Sequence, residues 1–333
     1  MHINNQNSKM QSIKCRVPQG SVLGPLLILL YINDIAMCCT SDMIRIFADD
    51  TGIFIQGKDI NGIIESAKET MKNVETWFSE NRLTLNTEKT CFVIFKSNRW
   101  GYRHIPDKLE FGNKEINRVS SVKYLGLILD ESLNWNSQVN EVCKNIKRYF
   151  PIFYNIRQYI NIRDARTIYY TMIYSKIKYA IIVYGLTSND NIEKLQILQN
   201  QLNKVLTKKN HRYRTNLLHN DLNILKINDI INQEIVSFVH GYINEKLPPV
   251  SENYFSHRFS IETYLNNERK IRFLTPTHRL CIGASTIKVK GPQLWNSLSF
   301  TFKQKVSSKI FRKKYRSSIL PYSSSLLPND ENL

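Results

Sequence analysis

Between Met43 and Ile55, the isoleucines at 44, 46, 53 and 55 alternate with other residues on either side of Ala48-Asp49-Asp50-Thr51-Gly52. Side chains along a strand point to opposite faces in turn, so the alternation predicts two short strands joined by a tight acidic turn. Adjacent carboxylates at such a bend repel, and one would be driven toward its neutral form unless a cation sits with them. A hard divalent ion suits carboxylate oxygens, and a turn leaves room beside it for water and phosphate. A solvent-exposed Asp-Asp turn is the plain alternative, and the pair alone does not separate the two.

The flanking sequence predicts an α+β arrangement. Ser21 is placed to cap a helix running through Leu23, Leu26, Leu27, Leu30 and Tyr31 to about Ile35. Asp59 is placed to cap another, whose apolar positions Ile60, Ile63, Ile64, Ala67, Met71, Val74 and Phe78 keep a 3–4 residue rhythm to near Asn81. Cys91 to Phe95 reads as a buried strand. Leu109-Glu110-Phe111 and Glu115-Ile116 flank a Gly112-Asn113 hairpin turn, and Val122 to Leu129 reads as one further strand. Beyond Trp135 helical patterns take over. One helix is expected through Val139 to Phe153, a second from an Asp164 cap to Gly185, a third from Asn189 or Asp190, and a fourth from Asp229 that stops before Pro248-Pro249. The expected organisation is an α+β domain over 1–135, a helical domain over 136–248 and a basic mixed region over 249–333.

The formal charge is +18, and its distribution is uneven. Residues 1–140 hold 16 basic and 15 acidic side chains, residues 141–254 hold 16 and 9, and residues 255–320 hold 14 and 2. Charge concentrated in this way suits a surface that follows a phosphate backbone, although a solvated basic face would look the same. Six cysteines form no C-x-x-C and no Cys/His cluster with zinc-ligand spacing, so free thiols, a reducing compartment and no zinc are expected. The longest apolar run, Leu26 to Ile32, is far shorter than the ~20 residues that span a bilayer, and Met1 to Gln11 lacks an apolar leader core. An intracellular protein with no membrane segment, nuclear or cytoplasmic, is the expectation.

Four segments occur in a telling order: Pro18-Gln19-Gly20, Phe47-Ala48-Asp49-Asp50, Asn86-Thr87-Glu88-Lys89 and Tyr124-Leu125-Gly126. Together with VPQGSVLGPLLILLYINDI, FADDTGIF, WFSENRLTLNTEKTCFVIF and VKYLGLILDESLNW, they resemble the palm of reverse transcriptases of the non-LTR (LINE-type, jockey-like) retrotransposons. A weaker likeness continues to GPQLWNSL at 291–298. The resemblance implies a partial right-hand polymerase palm, an antiparallel sheet with packed helices, followed by an α-helical thumb. It implies RNA-directed DNA polymerisation by a two-metal route using Mg2+ or Mn2+, with an RNA template, a DNA primer or target, and dNTP substrates.

Position by position, the resemblance makes Asp49 the metal-binding aspartate and Asp50 its partner. It places Gln19 and Gly20 beside the incoming nucleotide and makes Lys89 the lysine that meets the departing pyrophosphate. It makes Tyr124, Leu125 and Gly126 the primer grip, and Asp34 is read as structural. Taken singly, Gly20 would read as a helix-entry glycine, Lys89 as a surface lysine, and 124–126 as a buried strand with a bulge glycine. The family carries a further aspartate upstream of the Pro-Gln-Gly segment, and the 17 residues before Pro18 contain no acidic side chain. Weak or absent polymerisation by this chain alone is therefore expected. A non-catalytic nucleic-acid-binding remnant is the alternative. Lys144, Lys147, Lys204, Lys208 and Lys209 are expected to meet phosphates. Tyr264, Phe273, Trp295 and Phe311, interleaved with charge, are read either as stacking platforms for bases or as core.

Overall fold

In the computed structural model, residues 2–3, 6–7, 20–38, 43–48, 50–95, 105–111, 114–252, 254–255, 257–260, 270–277, 281–303 and 306–320 are described. The sequence readings at Gln19, Asp49, Gly112-Asn113 and Tyr264 lie outside them. The chain divides into two compact units, Met1–Leu125 and Gly126–Leu333. Helices dominate, with small sheets between them, so the α+β class holds.

The first unit opens with the short antiparallel pair β1 (His2–Ile3) and β2 (Gln6–Asn7), followed by α1 (Leu23–Ile32) and a 3-10 turn at Asn33–Cys38. The hairpin of β3 (Met43–Phe47) and β4 (Asp50–Phe54), the long helix α2 (Ile60–Glu80), and β5 (Cys91–Phe92), β6 (Lys108–Phe111), β7 (Lys114–Arg118) and β8 (Ser121–Tyr124) complete it. Asp59 caps α2 as read, its Oδ1 accepting from Gly62 N at 2.8 Å, and Asn81 is the C-cap. The core gathers Ile35, Val74 and Trp77, with Ile44, Ile46, Ile53, Phe78 and Phe111 packed against it. Burying these side chains removes apolar surface from water and fixes the hairpin on α2. The predicted strand at 91–95 is shorter than read, ending at Phe92, and half-buried. It pairs with β7 in parallel, whereas β6 pairs with β7 antiparallel, so the sheet is not wholly antiparallel. Helix α1 stops at Ile32, short of Ile35, and only Gly24 in it is buried; its leucines stand exposed.

The second unit starts with β9 (Leu127–Asp130) and continues with α3 (Asn136–Lys147), α4 (Phe150–Ile156), α5 (Ile162–Ile168), a π-helical turn (Tyr169–Tyr174), α6 (Ser175–Lys178), α7 (Ile181–Tyr184), α8 (Asn189–Leu206), α9 (Thr215–Leu222) and α10 (Ile227–Ile243). Then come β10 (His257–Ser260), β11 (Lys270–Phe273), α11 (Cys281–Ala284), α12 (Ile287–Ser297) and α13 (Ser308–Ile319).

The buried carboxylate of Asp130 starts the helical part. Its Oδ1 accepts from Ser132 N, Ser132 Oγ and Asn134 N, and its Oδ2 from Trp135 N at 3.2 Å. These bonds satisfy the loop's amides and aim the chain into α3.

Four helical readings are corrected. The helix expected over 139–153 is two, α3 and α4. The cap at 161–164 is Asn161, whose Oδ1 accepts from Arg163 N and Asp164 N; Asp164 is its capping-box partner. The single helix expected from there to Gly185 is broken by the π turn and again at Ala180, which has φ 53°. Helix α10 begins at Ile227, two residues before the Asp229 start that was read.

One core joins α3 to α10 around Phe153, Tyr169, Tyr184, Leu195, Leu202 and Ile231. A second joins α10 to the C-terminal elements through Val236, Val239, Phe255, Phe273, Trp295, Phe311 and Tyr315.

Candidate active site

The hairpin register determines which residues can work together. Phe47 pairs with Asp50, Ile46 with Thr51, Arg45 with Gly52 and Ile44 with Ile53. Directly opposed residues share a face, so Ile44, Ile46, Thr51 and Ile53 lie on one side, three of them against the core. Asp50, Gly52, Phe54, Arg45 and Phe47 lie on the other. Ala48, the residue that follows β3, takes a left-handed φ of 52°. Asp50 is the first residue of β4 rather than part of the bend, and it is exposed. Its carboxylate has no hydrogen-bond or ion-pair partner among the described residues.

Tyr124 lies on the Asp50 side of the hairpin. A Cβ built on Gly52 would stand 3.1 Å from its Oη and 3.2 Å from its Cζ, and its ring meets Phe54 edge-on with centroids 6.2 Å apart. Gly52 is thus the close-approach residue that admits the tyrosine. The strand expected over 122–129 is in fact two strands, with Leu125 (φ 46°) and Gly126 (φ 80°) as a left-handed pair between β8 and β9. Two positive-φ residues are what a tight hairpin loop demands. In the second unit, a Cβ on Gly126 would stand 3.2 Å from Tyr179 Cε1, so this glycine also serves close packing.

Gly20 has φ 87° and open space where a Cβ would be, while Ser21 Oγ accepts from Gly24 N at 3.1 Å at the start of α1. Lys89 is exposed in the turn after α2, its amide donating to Asn86 O at 3.2 Å. No hydrogen bond or ion pair joins Lys89 to Asp50 or Tyr124 among the described residues. The structure thus brings Asp50 and Tyr124 to one face, and leaves Gly20 and Lys89 on separate turns. Arg45 and Phe54, which share the Asp50 face, were missed in the sequence; counting the strand alternation outward from Asp50 would have found them.

Among the lysines expected to meet phosphates, Lys144, Lys147, Lys208 and Lys209 are exposed. Lys204 is half-buried and donates to His211 O at 2.5 Å. Lys144 and Lys147 line a shallow concavity on α3 with Asn140, Cys143 and Arg148. Of the two readings for Phe273, Trp295 and Phe311, the core one holds, because all three are at most 3% exposed. No group of three or more His, Cys, Asp or Glu side chains that could hold a metal occurs among the described residues. No helix among them is long and apolar enough to cross a membrane.

Residues 1–129 match the family model for reverse transcriptase (RNA-dependent DNA polymerase). Among known proteins, the chain is similar to the probable RNA-directed DNA polymerase from transposon X-element of Drosophila melanogaster, 26% identical over 235 residues, covering 68% of this chain and 25% of that protein. It is also similar to the probable RNA-directed DNA polymerase from transposon BS of the same fly, 24% identical, covering 70% of this chain and 27% of the relative. The RNA-directed DNA polymerase from its mobile element jockey is 24% identical, with 68% and 25% covered. The chain thus spans about a quarter of the length of these relatives. No solved structure matches it. Through the segment that carries the hairpin and its tyrosine, the chain is similar to reverse transcriptases of the non-LTR retrotransposon kind.

Proposed function

We propose that this chain carries part of the catalytic palm of an RNA-directed DNA polymerase that copies an RNA template onto a DNA primer or target, using dNTPs. The observation that carries the reading is the placement of Tyr124 on the Asp50 face of the hairpin. A group that grips a primer end has to stand on the side where the carboxylates work, because positioning supplies much of the barrier reduction.

The residues fit a hard divalent cation in their chemistry. Asp50 presents exposed carboxylate oxygens with no described partner, and Asp49 adjoins it in the sequence. In the proposal, Asp49 and Asp50 hold Mg2+ or Mn2+, which when bound supplies charge neutralisation at the attacking 3′-hydroxyl and the departing pyrophosphate. Tyr124, with the left-handed Leu125-Gly126 turn, orients the primer terminus. Gly20 offers backbone without a side chain to the incoming nucleotide, next to Gln19. The Lys89 ammonium gives a counter-charge and a proton to the leaving group. Residues 136–248 form the helical thumb, and exposed Lys144, Lys147, Lys208 and Lys209 meet duplex phosphates.

Primer extension on an RNA template with Mg2+ tests this. Weak extension by the chain, lost in Asp49→Asn and Asp50→Asn and reduced in Tyr124→Ala, is the expected result for the enzyme. One observation favours a second reading, a non-catalytic nucleic-acid-binding protein: residues 255–320 hold 14 basic and only 2 acidic side chains. Nucleic-acid binding without extension, unaltered by Asp50→Asn, selects that reading.

A further inference from the structure

The C-terminal elements have a charge pattern that the polymerase reading does not use. Residues 270–320 contain 12 Lys and Arg and no Asp or Glu. The structure divides these cations into two groups. Arg312 points inward, its Nη2 donating to Glu234 Oε2 at 2.7 Å and its Nε to Ser237 Oγ at 3.2 Å. Arg316 Nη2 donates to Tyr170 Oη and to the Asn223 carbonyl. These two arginines fasten α13 to the rest of its unit. Lys309, Lys313 and Lys314 on α13, and Lys288 and Lys290 on α12, are exposed, with no carboxylate in ion-pair reach among the described residues. Successive helical positions are turned by about 100°, so Lys309 and Lys313 fall on the side of α13 opposite Phe311 and Tyr315, with Lys314 on the flank between.

We propose that the outer lysine side of α13 is a clamp for the phosphate backbone of a nucleic acid, one that reads no base sequence. Three observations lead there. Compact ammonium groups on flexible stems act as point charges toward phosphate and lack the planar fork that recognises a base edge. The aromatic residues that would stack on bases (Phe273, Trp295, Phe311 and Tyr315) are enclosed in the core. The apolar side of α13 is also enclosed, with Phe311 at 1% and Tyr315 at 8% exposure, so this helix has no apolar face to lay into a lipid surface. Binding by this face rests on charge alone, and its strength follows counterion release.

The full chain carrying Asp50→Asn is titrated, without nucleotides, against labelled duplexes of two unrelated sequences over a range of KCl concentrations. Extension plays no part in this assay, so a failed polymerase reading leaves it unaffected. Lys309→Gln/Lys313→Gln/Lys314→Gln is the test variant, and an unchanged far-UV circular dichroism spectrum and thermal melt report that its fold is intact. Lys68→Gln, whose ammonium already pairs with Glu65 at 3.1 Å, is the control. The triple variant is expected to lower the slope of log affinity against log salt by about 2–3 and to weaken binding at least ~10-fold near 0.1 M salt, equally for both sequences. The control is expected to leave both quantities unchanged. An unaltered slope in the triple variant, a loss confined to one sequence, or a larger loss of binding to phosphatidylserine vesicles than to DNA would each overturn the proposal.

Discussion

The attachment of α13 to α10 gives a quantitative test. The Glu234 side chain is 10% exposed, with Arg312 Nη2 at 2.7 Å and Lys178 Nζ at 3.5 Å. Burial, and next the nearby Glu234 charge, push the Tyr174 hydroxyl up to about 12, as expected near a carboxylate held in a partly dry setting. Arg312→Met keeps the alkyl stem and removes the guanidinium. Stripping one partner from a fully buried pair costs about 3–5 kcal/mol, and an exposed pair is worth about 0.2–1 kcal/mol. Arg312 is 39% exposed and Lys178 remains, so the expected loss is intermediate, about 1–3 kcal/mol. Glu234→Gln leaves Arg312 in contact with water and should cost less, about 0.5–1.5 kcal/mol. The double variant should cost about 1–2 kcal/mol less than the sum of the two. Urea unfolding followed by tryptophan fluorescence, to which Trp295 in the same cluster contributes, gives the three values by linear extrapolation. Raising the salt should change them little, since a mostly buried pair is weakly screened. An Arg312→Met cost under about 0.5 kcal/mol, or strict additivity, would falsify the reasoning.

Burial lowers the pKa of His219 and of His240 below 6.5; Lys226 adds to this at His219, against the Ile224 carbonyl, and Lys246 adds to it at His240, against the Val306 backbone. The unfolded chain therefore takes up protons first, so stability should be full above pH 6.5 and fall as pH drops below it; thermal melts at pH 7.5 and 5.5 check this, and His219→Gln should flatten the difference. Gly52→Val places atoms against the Tyr124 ring, so primer extension should fall about tenfold with the fold retained, and Tyr124→Ala on top should add little, as kinetics of the two variants and their combination will show. Ala48 sits in the left-handed region, where a Cβ costs about 1–2 kcal/mol, so Ala48→Gly should be neutral to stabilising and Ala48→Val destabilising by more than about 1 kcal/mol in denaturant titrations.

Parts of this architecture were legible because a local signal agreed with the packing. The β3–β4 alternation and the Asp59 cap with its 3–4 rhythm are of that kind, and both elements formed where read. The run from 162 to 184 was misread because its apolar rhythm continues through the π turn and through Ala180, and no Gly or Pro marks either break. The turn at 125–126 was read through as strand because Leu125 carries no turn signal, and tertiary context set its positive φ. The aromatics near the C-terminus stayed ambiguous because burial depends on a partner helix distant in sequence. The spacing of four between Phe311 and Tyr315, inside a Lys/Arg-rich helix, was the available sign that they face inward. At the candidate site, the motif order gave Asp50 and Tyr124, while their shared face became visible only through the strand register.

The fastening of α10 by α13 also dictates an order of events during synthesis. Glu234 meets Arg312 across 78 residues, and Val236 and Val239 are covered by Trp295, Phe311 and Tyr315. A ribosome working from the amino end releases α10 well before it makes its cover. Until then the nascent chain carries a bare greasy strip and a carboxylate with Lys178 as its only cationic partner among the described residues, a state prone to chaperone capture. Any product that terminates ahead of Ser308 keeps that strip for good, so a premature stop there removes far more than twelve residues of helix.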